Sequence, residues 1–207
     1  MRDGNVNIVA KMDRSEGKIK YIGLSEPSAA SLRRACKVAK ITAVQVEYSP
    51  FSVDIESPST DLLATCRELG VAVVAYSPLG RGFITGQYRS RDDLPVDDYR
   101  RMYPRFSEEN FEQNLKLVKV FEKMAEGKGK TPGQIALAWL MGLGRDIIPI
   151  PGTRKLKYLE ENLGSAHVQL TENEMQEIRV AVDNAEVAGK RAGEGADVGL
   201  FADTPLP

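Results

Sequence analysis

Short runs of β-branched and aliphatic residues alternate with amphipathic segments along most of this chain, and no other feature limits its fold as tightly. Ile19–Ser25 (IKYIGLS), Thr42–Tyr48 (TAVQVEY), Val71–Ser77 (VAVVAYS) and Asp146–Pro151 (DIIPIP) read as strands. Helical spacing marks Ser28–Lys40, Ser59–Leu69, Ser107–Glu126 and Thr131–Gly142, the last with a capping box of Thr131 and Gln134 behind Pro132. A short helix follows Thr153, and a further one opens on the capping box Thr171 and Glu174. Strands alternating with helices imply right-handed βαβ units and a parallel sheet. A closed (β/α)8 barrel takes roughly 250 residues and eight strands. With 207 residues and four strands, this chain reads as α/β and offers about half the strands of a (β/α)8 TIM barrel, a part of one at most. Gly80 to about Pro104 reads as a long, polar, solvated loop. The tail after residue 185 loses all periodicity and reads as loose.

The inventory narrows the chemistry. Lys and Arg total 28 against 29 Asp and Glu, which leaves no broad basic footprint for nucleic acid. No apolar run approaches the roughly 20 residues that cross a bilayer. Cys36 and Cys66 have neither CxxC nor Cys/His spacing, so neither a disulfide framework nor a zinc site is expected, and a reducing, cytoplasmic setting is the default. His167 is the only histidine; it lies between the last two helices and reads as a surface residue. Trp139 sits among Ile135, Leu137 and Leu140 and reads as core. No GxGxxG stands between a strand and a helix, which disfavours a Rossmann domain.

Two strand ends stand out. AYSPLGRGFITG (Ala75–Gly86) puts Tyr76 at the close of the third strand, then Pro78 and two glycines that tolerate positive φ. Such an end can stack a flat ring and hold a phosphate; it can also be a Pro-Gly turn over a core tyrosine. IPIPGTRKLKYLEEN (Ile148–Asn162) runs from a strand into Gly152 and Thr153 and then a helix with Arg154, Lys155 and Lys157 near its start. Cations there oppose the helix dipole. A bound phosphate would explain them, and so would a solvated basic turn. Ser25 and Glu26 close the first strand. Gln45 and Glu47 share a face of the second, where a polar side chain needs a partner, either a ligand amide or a neighbouring strand.

Taken together, GKIKYIGLSE, VQVEYSPF, GVAVVAYSPLGRGFITG, KTPGQIALAWLM, IPIPGTRKLKYLEENLGS and LTENEMQEI resemble the C-terminal half of an aldo-keto reductase, of the YSPLGRG-bearing bacterial, fungal and plant type. The resemblance covers about residues 17–185, with residues 1–16 an atypical N-terminal segment and 186–207 a C-terminal tail. It implies roughly the last four βα units of a (β/α)8 barrel that reduces aldehydes and ketones with NADPH. By the same resemblance, Ser25 and Gln45 would bond the nicotinamide carboxamide, and Tyr76 would stack on its ring. Ser77, Leu79 and Gly80 would line the pyrophosphate. Gly152, Thr153 and Arg154 would hold the 2′-phosphate, with Glu161 and Asn162 near the adenine. Glu26 replaces the Asn of many members and would be an unpaired carboxylate beside the carboxamide. Tyr158 replaces a second phosphate-binding Arg, which implies weaker 2′-phosphate affinity.

Nothing in the sequence matches the family's Asp-Tyr-Lys-His tetrad, so no catalytic residue is assigned and the chain is expected to be a truncated form. The expectation is therefore an NADP(H) site and a small carbonyl substrate, with little turnover by this chain alone. The alternative is a non-catalytic NADP(H)-binding or interaction module. Exposed barrel edges predict self-association.

Overall fold

Four parallel strands form one sheet in the order β1-β2-β3-β4. The computed structural model describes residues 16–193 and 199–204. The strands are β1 (Gly23–Ser25), β2 (Ala43–Glu47), β3 (Ala72–Tyr76) and β4 (Ile147–Pro149). Their register sets Ser25 beside Gln45, Gln45 beside Val74, and Glu47 beside Tyr76. Between them run α1 (Ala29–Val38), α2 (Leu62–Leu69), α3 (Glu108–Lys128) and α4 (Pro132–Gly142), with α5 (Leu156–Gly164) and α6 (Glu172–Asp183) after β4. The α/β class with a parallel sheet is as expected.

One face of the sheet carries the core. Val44, Val46, Val73, Ala75 and Ile147 point into it and meet Leu32 of α1, Cys66 of α2, Phe121 of α3 and Trp139 of α4, all buried. Burial of this kind is worth roughly 25 cal/mol per Å² of apolar surface and is what holds the helices on the strands. The capping boxes form as read: Thr131 accepts from the Gln134 N–H, and Thr171 from the Glu174 N–H. On the opposite face Ser25, Gln45 and Ile148 are exposed, while Glu47 at its end is buried.

Four expectations need correction. Residues 19–22 lie outside the first strand, which is a short edge strand, and Tyr21 is exposed. The stretch after Gly80 is exposed over much of its length, as read, but it is not a plain loop. It folds into short 3-10 turns, and Arg100 locks it, bonding Asp98 at 2.7 Å, the Arg81 carbonyl at 2.9 Å and the Tyr88 hydroxyl at 2.9 Å. The tail is not loose where it is described. The Asn114 side chain of α3 holds the Ala188 backbone by two hydrogen bonds, donating to its carbonyl and accepting its N–H, Arg191 and Ala192 are buried, and Ala202 bridges to Pro27. Gln45 is exposed, so the cost of burying a polar side chain does not bear on it. Residues 1–15, most of the segment read as atypical, lie outside the described residues. His167 is exposed and Trp139 fully buried, as read.

Candidate functional site at the strand ends

The carboxyl ends of the strands gather two features, a polar network and a groove. Alternation along β2 and β3 puts Gln45, Glu47, Val74 and Tyr76 on the face away from the core, with Ser25 in register on β1. Directly after β1 the backbone turns through a positive φ at Glu26 (48°), and directly after β3 through one at Ser77 (48°). Residues other than glycine adopt this region at a cost, so the ends of both strands are held by their surroundings.

Glu26 is not unpaired. Its Oε1 accepts the Tyr76 hydroxyl at 2.8 Å and the Glu47 N–H at 3.1 Å. Arg191, from the C-terminal segment, donates to both of its oxygens, at 3.3 and 3.0 Å. At the end of the neighbouring strand, Glu47 is 1% exposed and accepts Ser52 Oγ at 2.8 Å and Arg81 Nη2 at 3.0 Å, with Arg105 Nη1 at 3.6 Å. Burial pushes the Tyr76 hydroxyl well above the usual tyrosine range, with the Glu26 hydrogen bond and the negative charge of Glu47 adding to it. Tyr48 is raised in the same way, by burial and by donating to Glu56. Burial lowers the Arg105 guanidinium despite the opposing field of Glu47. Sequence reasoning missed Arg191 and Arg105. Their signal was the anomaly at Glu26, since a carboxylate at a strand end calls for a cation somewhere in the chain.

The groove, about 490 Å³, runs from β3 to α5. Tyr76, Ser77, Pro78 and Leu79 form its floor beside Ile150, Pro151, Gly152 and Thr153. Arg81, Gly82, Thr85, Gln87, Tyr88 and Tyr99 make one wall, and Tyr158, Glu161 and Asn162 of α5 the other. The walls touch where Gln87 Nε2 donates to the Tyr158 hydroxyl at 3.1 Å. Backbone turns bring the first wall close: the Gly80 N–H donates to the Ser77 carbonyl at 2.9 Å, and Arg81 and Gly82 are both left-handed. The start of α5 has no side-chain cap and no acidic residue in its first turn. Thr153 Oγ1 accepts the Lys155 N–H at 3.1 Å, and Lys155 and Lys157 lie 5.6 and 5.9 Å from the Tyr158 ring.

Of the sequence-derived residues, Tyr76, Ser77, Leu79, Gly152, Thr153, Glu161 and Asn162 meet in this groove. Four do not line it. Ser25 and Gln45 stand on the same sheet face, two strands and one strand away from β3 respectively. Arg154 is exposed at the groove's end. Gly80 is buried, and a Cβ there would sit 2.9 Å from the Phe51 ring, so its smallness serves packing. Glu161 has a structural task as well, accepting Thr131 Oγ1 at 2.7 Å at the start of α4. Among the described residues no group of three or more His, Cys, Asp or Glu could hold a metal ion, and no helix is long and apolar enough to cross a membrane.

Comparison with known proteins adds the following. The sequence model of the aldo/keto reductase family matches residues 7–183, beginning inside the segment read as atypical. The chain is 54% identical over 189 residues to the aldo-keto reductase yakc [NADP(+)] of Schizosaccharomyces pombe, covering 91% of this chain and 56% of that protein. It is 53% identical over 191 residues to the aldo-keto reductase str7 of Strobilurus tenacellus, with 92% and 56% covered. Among solved structures, the glycerol dehydrogenase AKR11B4 of Gluconobacter oxydans superposes with a TM-score of 0.77 at 27% identity, over 86% of this chain and 54% of that one. The chain thus spans about half the length of the curated relatives it matches.

Proposed function

The chain belongs to the aldo/keto reductase family, and from that premise we propose that its four strands are half of a (β/α)8 barrel, the half that holds NADP(H), of an oxidoreductase acting on aldehydes and ketones. The observation that carries this is the groove itself. A half-buried aromatic ring at a strand end leads, through backbone turns, to an uncapped helix start rich in cations. These residues fit a dinucleotide with a terminal phosphate. Tyr76 offers a ring face, with Ser25 and Gln45 beside it on the sheet for an amide. Ser77, Leu79 and the turn that Gly80 permits can approach a pyrophosphate, and Gly152, Thr153 and Arg154 stand at the start of α5 for a phosphate. Glu161 and Asn162, which line the far part of the groove, would stand beside the remaining ring. The name of the S. pombe relative carries NADP(+), which agrees with this choice.

When bound, NADPH supplies a hydride. Reduction of a carbonyl also needs an acid to protonate the forming alkoxide. The two tyrosines of the strand ends are poor candidates: Tyr48 is buried and donates to Glu56, and Tyr76 donates to Glu26. Both are held above the normal tyrosine range, which weakens them as acids near neutrality. The chain by itself therefore binds cofactor and turns over little. A purified sample should quench or enhance NADPH fluorescence saturably while failing to consume NADPH with nitrobenzaldehyde. Steady consumption refutes the second half, and absence of saturable binding the first.

One observation favours a second reading, an interaction module. Leu156, Leu159 and Leu163 make an exposed apolar stripe on α5 (69, 46 and 64% exposed), next to the edge strand β4 with Ile148 exposed. Association through the open edges would cover them. Light scattering that gives a stable monomer would exclude it.

A further inference from the structure

The C-terminal segment reaches the proposed cofactor face through one side chain. Arg191 lies 165 residues from Glu26 in sequence, yet both of its Nη atoms meet that carboxylate, one on each oxygen. The pair is nearly dry, with the Arg191 side chain 7% exposed and that of Glu26 11%. The ring of Phe201 stacks 4.7 Å from the guanidinium, and Asn114 fixes the chain three residues before it at Ala188. On its other side Glu26 is the acceptor for the Tyr76 hydroxyl. A continuous relay therefore runs from α3, through the segment after α6, to the aromatic ring at the end of β3.

The direction of the relay follows from its charges. Glu47 already has Ser52 and Arg81 as close partners, and Arg191 approaches it no nearer than 3.9 Å. The charge of Arg191 thus serves Glu26. A carboxylate so shielded from water needs a cation, and the planar fork of a guanidinium fixes the plane of the carboxylate as an ammonium cannot. Without it, Glu26 would turn toward water or take up a proton. Turning away removes the acceptor that orients the Tyr76 ring, and protonation leaves a weaker one.

We propose that Arg191 is a positioning residue: by locking Glu26 it sets the ring of Tyr76 for the nicotinamide end of the cofactor, which makes the C-terminal segment part of the binding site. The inference rests on the cofactor reading given above, and its test separates the two. The full chain, labelled with [13Cζ]tyrosine, is compared as wild type, Arg191→Met, Arg191→Lys and Glu26→Gln, with the Tyr76 signal assigned by its loss in Tyr76→Phe. Arg191→Met should move or broaden the Tyr76 signal while the other tyrosine signals stay in place. It should raise the Kd for NADPH by about tenfold, the scale of one lost charged hydrogen bond. The Kd for 2′-phospho-ADP-ribose, which lacks the nicotinamide, should stay within about twofold. Arg191→Lys, which keeps the charge, should fall between, and Glu26→Gln, whose amide oxygen can still accept the Tyr76 hydroxyl, should move the Tyr76 signal less than Arg191→Met does. An unmoved Tyr76 signal in Arg191→Met overturns the proposal whatever the ligands do. Equal weakening of both ligands means that Arg191 is merely structural, and also overturns it. If the wild type binds neither ligand, the cofactor reading falls, and the lock on Tyr76 is judged by the tyrosine signal alone.

Discussion

Replacing Glu47 with leucine tests the polar network most severely. Its carboxylate is 1% exposed and faces Arg81, Arg105 and Arg191, whose side chains are 14, 12 and 7% exposed. Leucine fills the space but leaves Arg81 and Arg105 short of a counter-charge, while Arg191 keeps Glu26. Removing one partner from a buried ionic cluster costs about 3–5 kcal/mol. For a chain of this size each kcal/mol moves the midpoint by roughly 2–4 °C, so the melting temperature should fall by about 6–20 °C. Glu47→Gln keeps acceptors for Ser52 and Arg81 and should lose less. Adding Arg81→Met to Glu47→Leu removes one of the stranded charges and should recover part of the loss. Thermal and urea unfolding of the four proteins gives the comparison. A cost below about 1 kcal/mol for Glu47→Leu, well short of the cost of a stranded buried charge, would refute the idea that this carboxylate neutralises the cluster.

Other outcomes are equally specific. Gly80→Ala puts a Cβ 2.9 Å from the Phe51 ring at a φ of +56°, and should cost about 1–3 kcal/mol by urea unfolding. Trp139→Ala, at a site with no exposure, should cost about 3–5 kcal/mol by the same measurement. In acid, Asp98 beside Arg100 and Asp183 beside Arg179 have folded pKa values below their ordinary 3.8. Their contribution is complete above that value and is lost as pH falls below it, so the urea midpoint should drop on going below about pH 4. In alkali the sign reverses. Burial pushes the Cys66 thiol from 9.0 up to about 12, so its contribution is complete below pH 9 and fades between pH 9 and 12. Cys66→Ala should flatten that decline.

How much of this could be read in the sequence depends on the kind of interaction. The β/α alternation and the capping boxes at Thr131 and Thr171 are local, and they appear where the spacing puts them. The groove was also legible in large part, because its residues sit at strand ends within two contiguous segments. The first strand was read too long because apolar content alone does not tell a paired residue from an exposed one such as Tyr21. The tail was misread for a different reason. Its order comes from single polar contacts over long separations, Ala188 with Asn114 and Arg191 with Glu26, and these leave no periodicity. The same holds for Arg100, one of several arginines in a charged stretch but the one that ties the turns together. Glu26 was the single local clue, and its meaning depended on a partner that the spacing could not supply.

Hydrogen–deuterium exchange of the purified chain with and without NADPH is the most direct examination of the groove. Bound cofactor should slow exchange in peptides spanning residues 76–88 and 150–163 and leave α1 and α2 unchanged. Unaltered exchange at saturating NADPH, or protection confined to the helices behind the sheet, would contradict it.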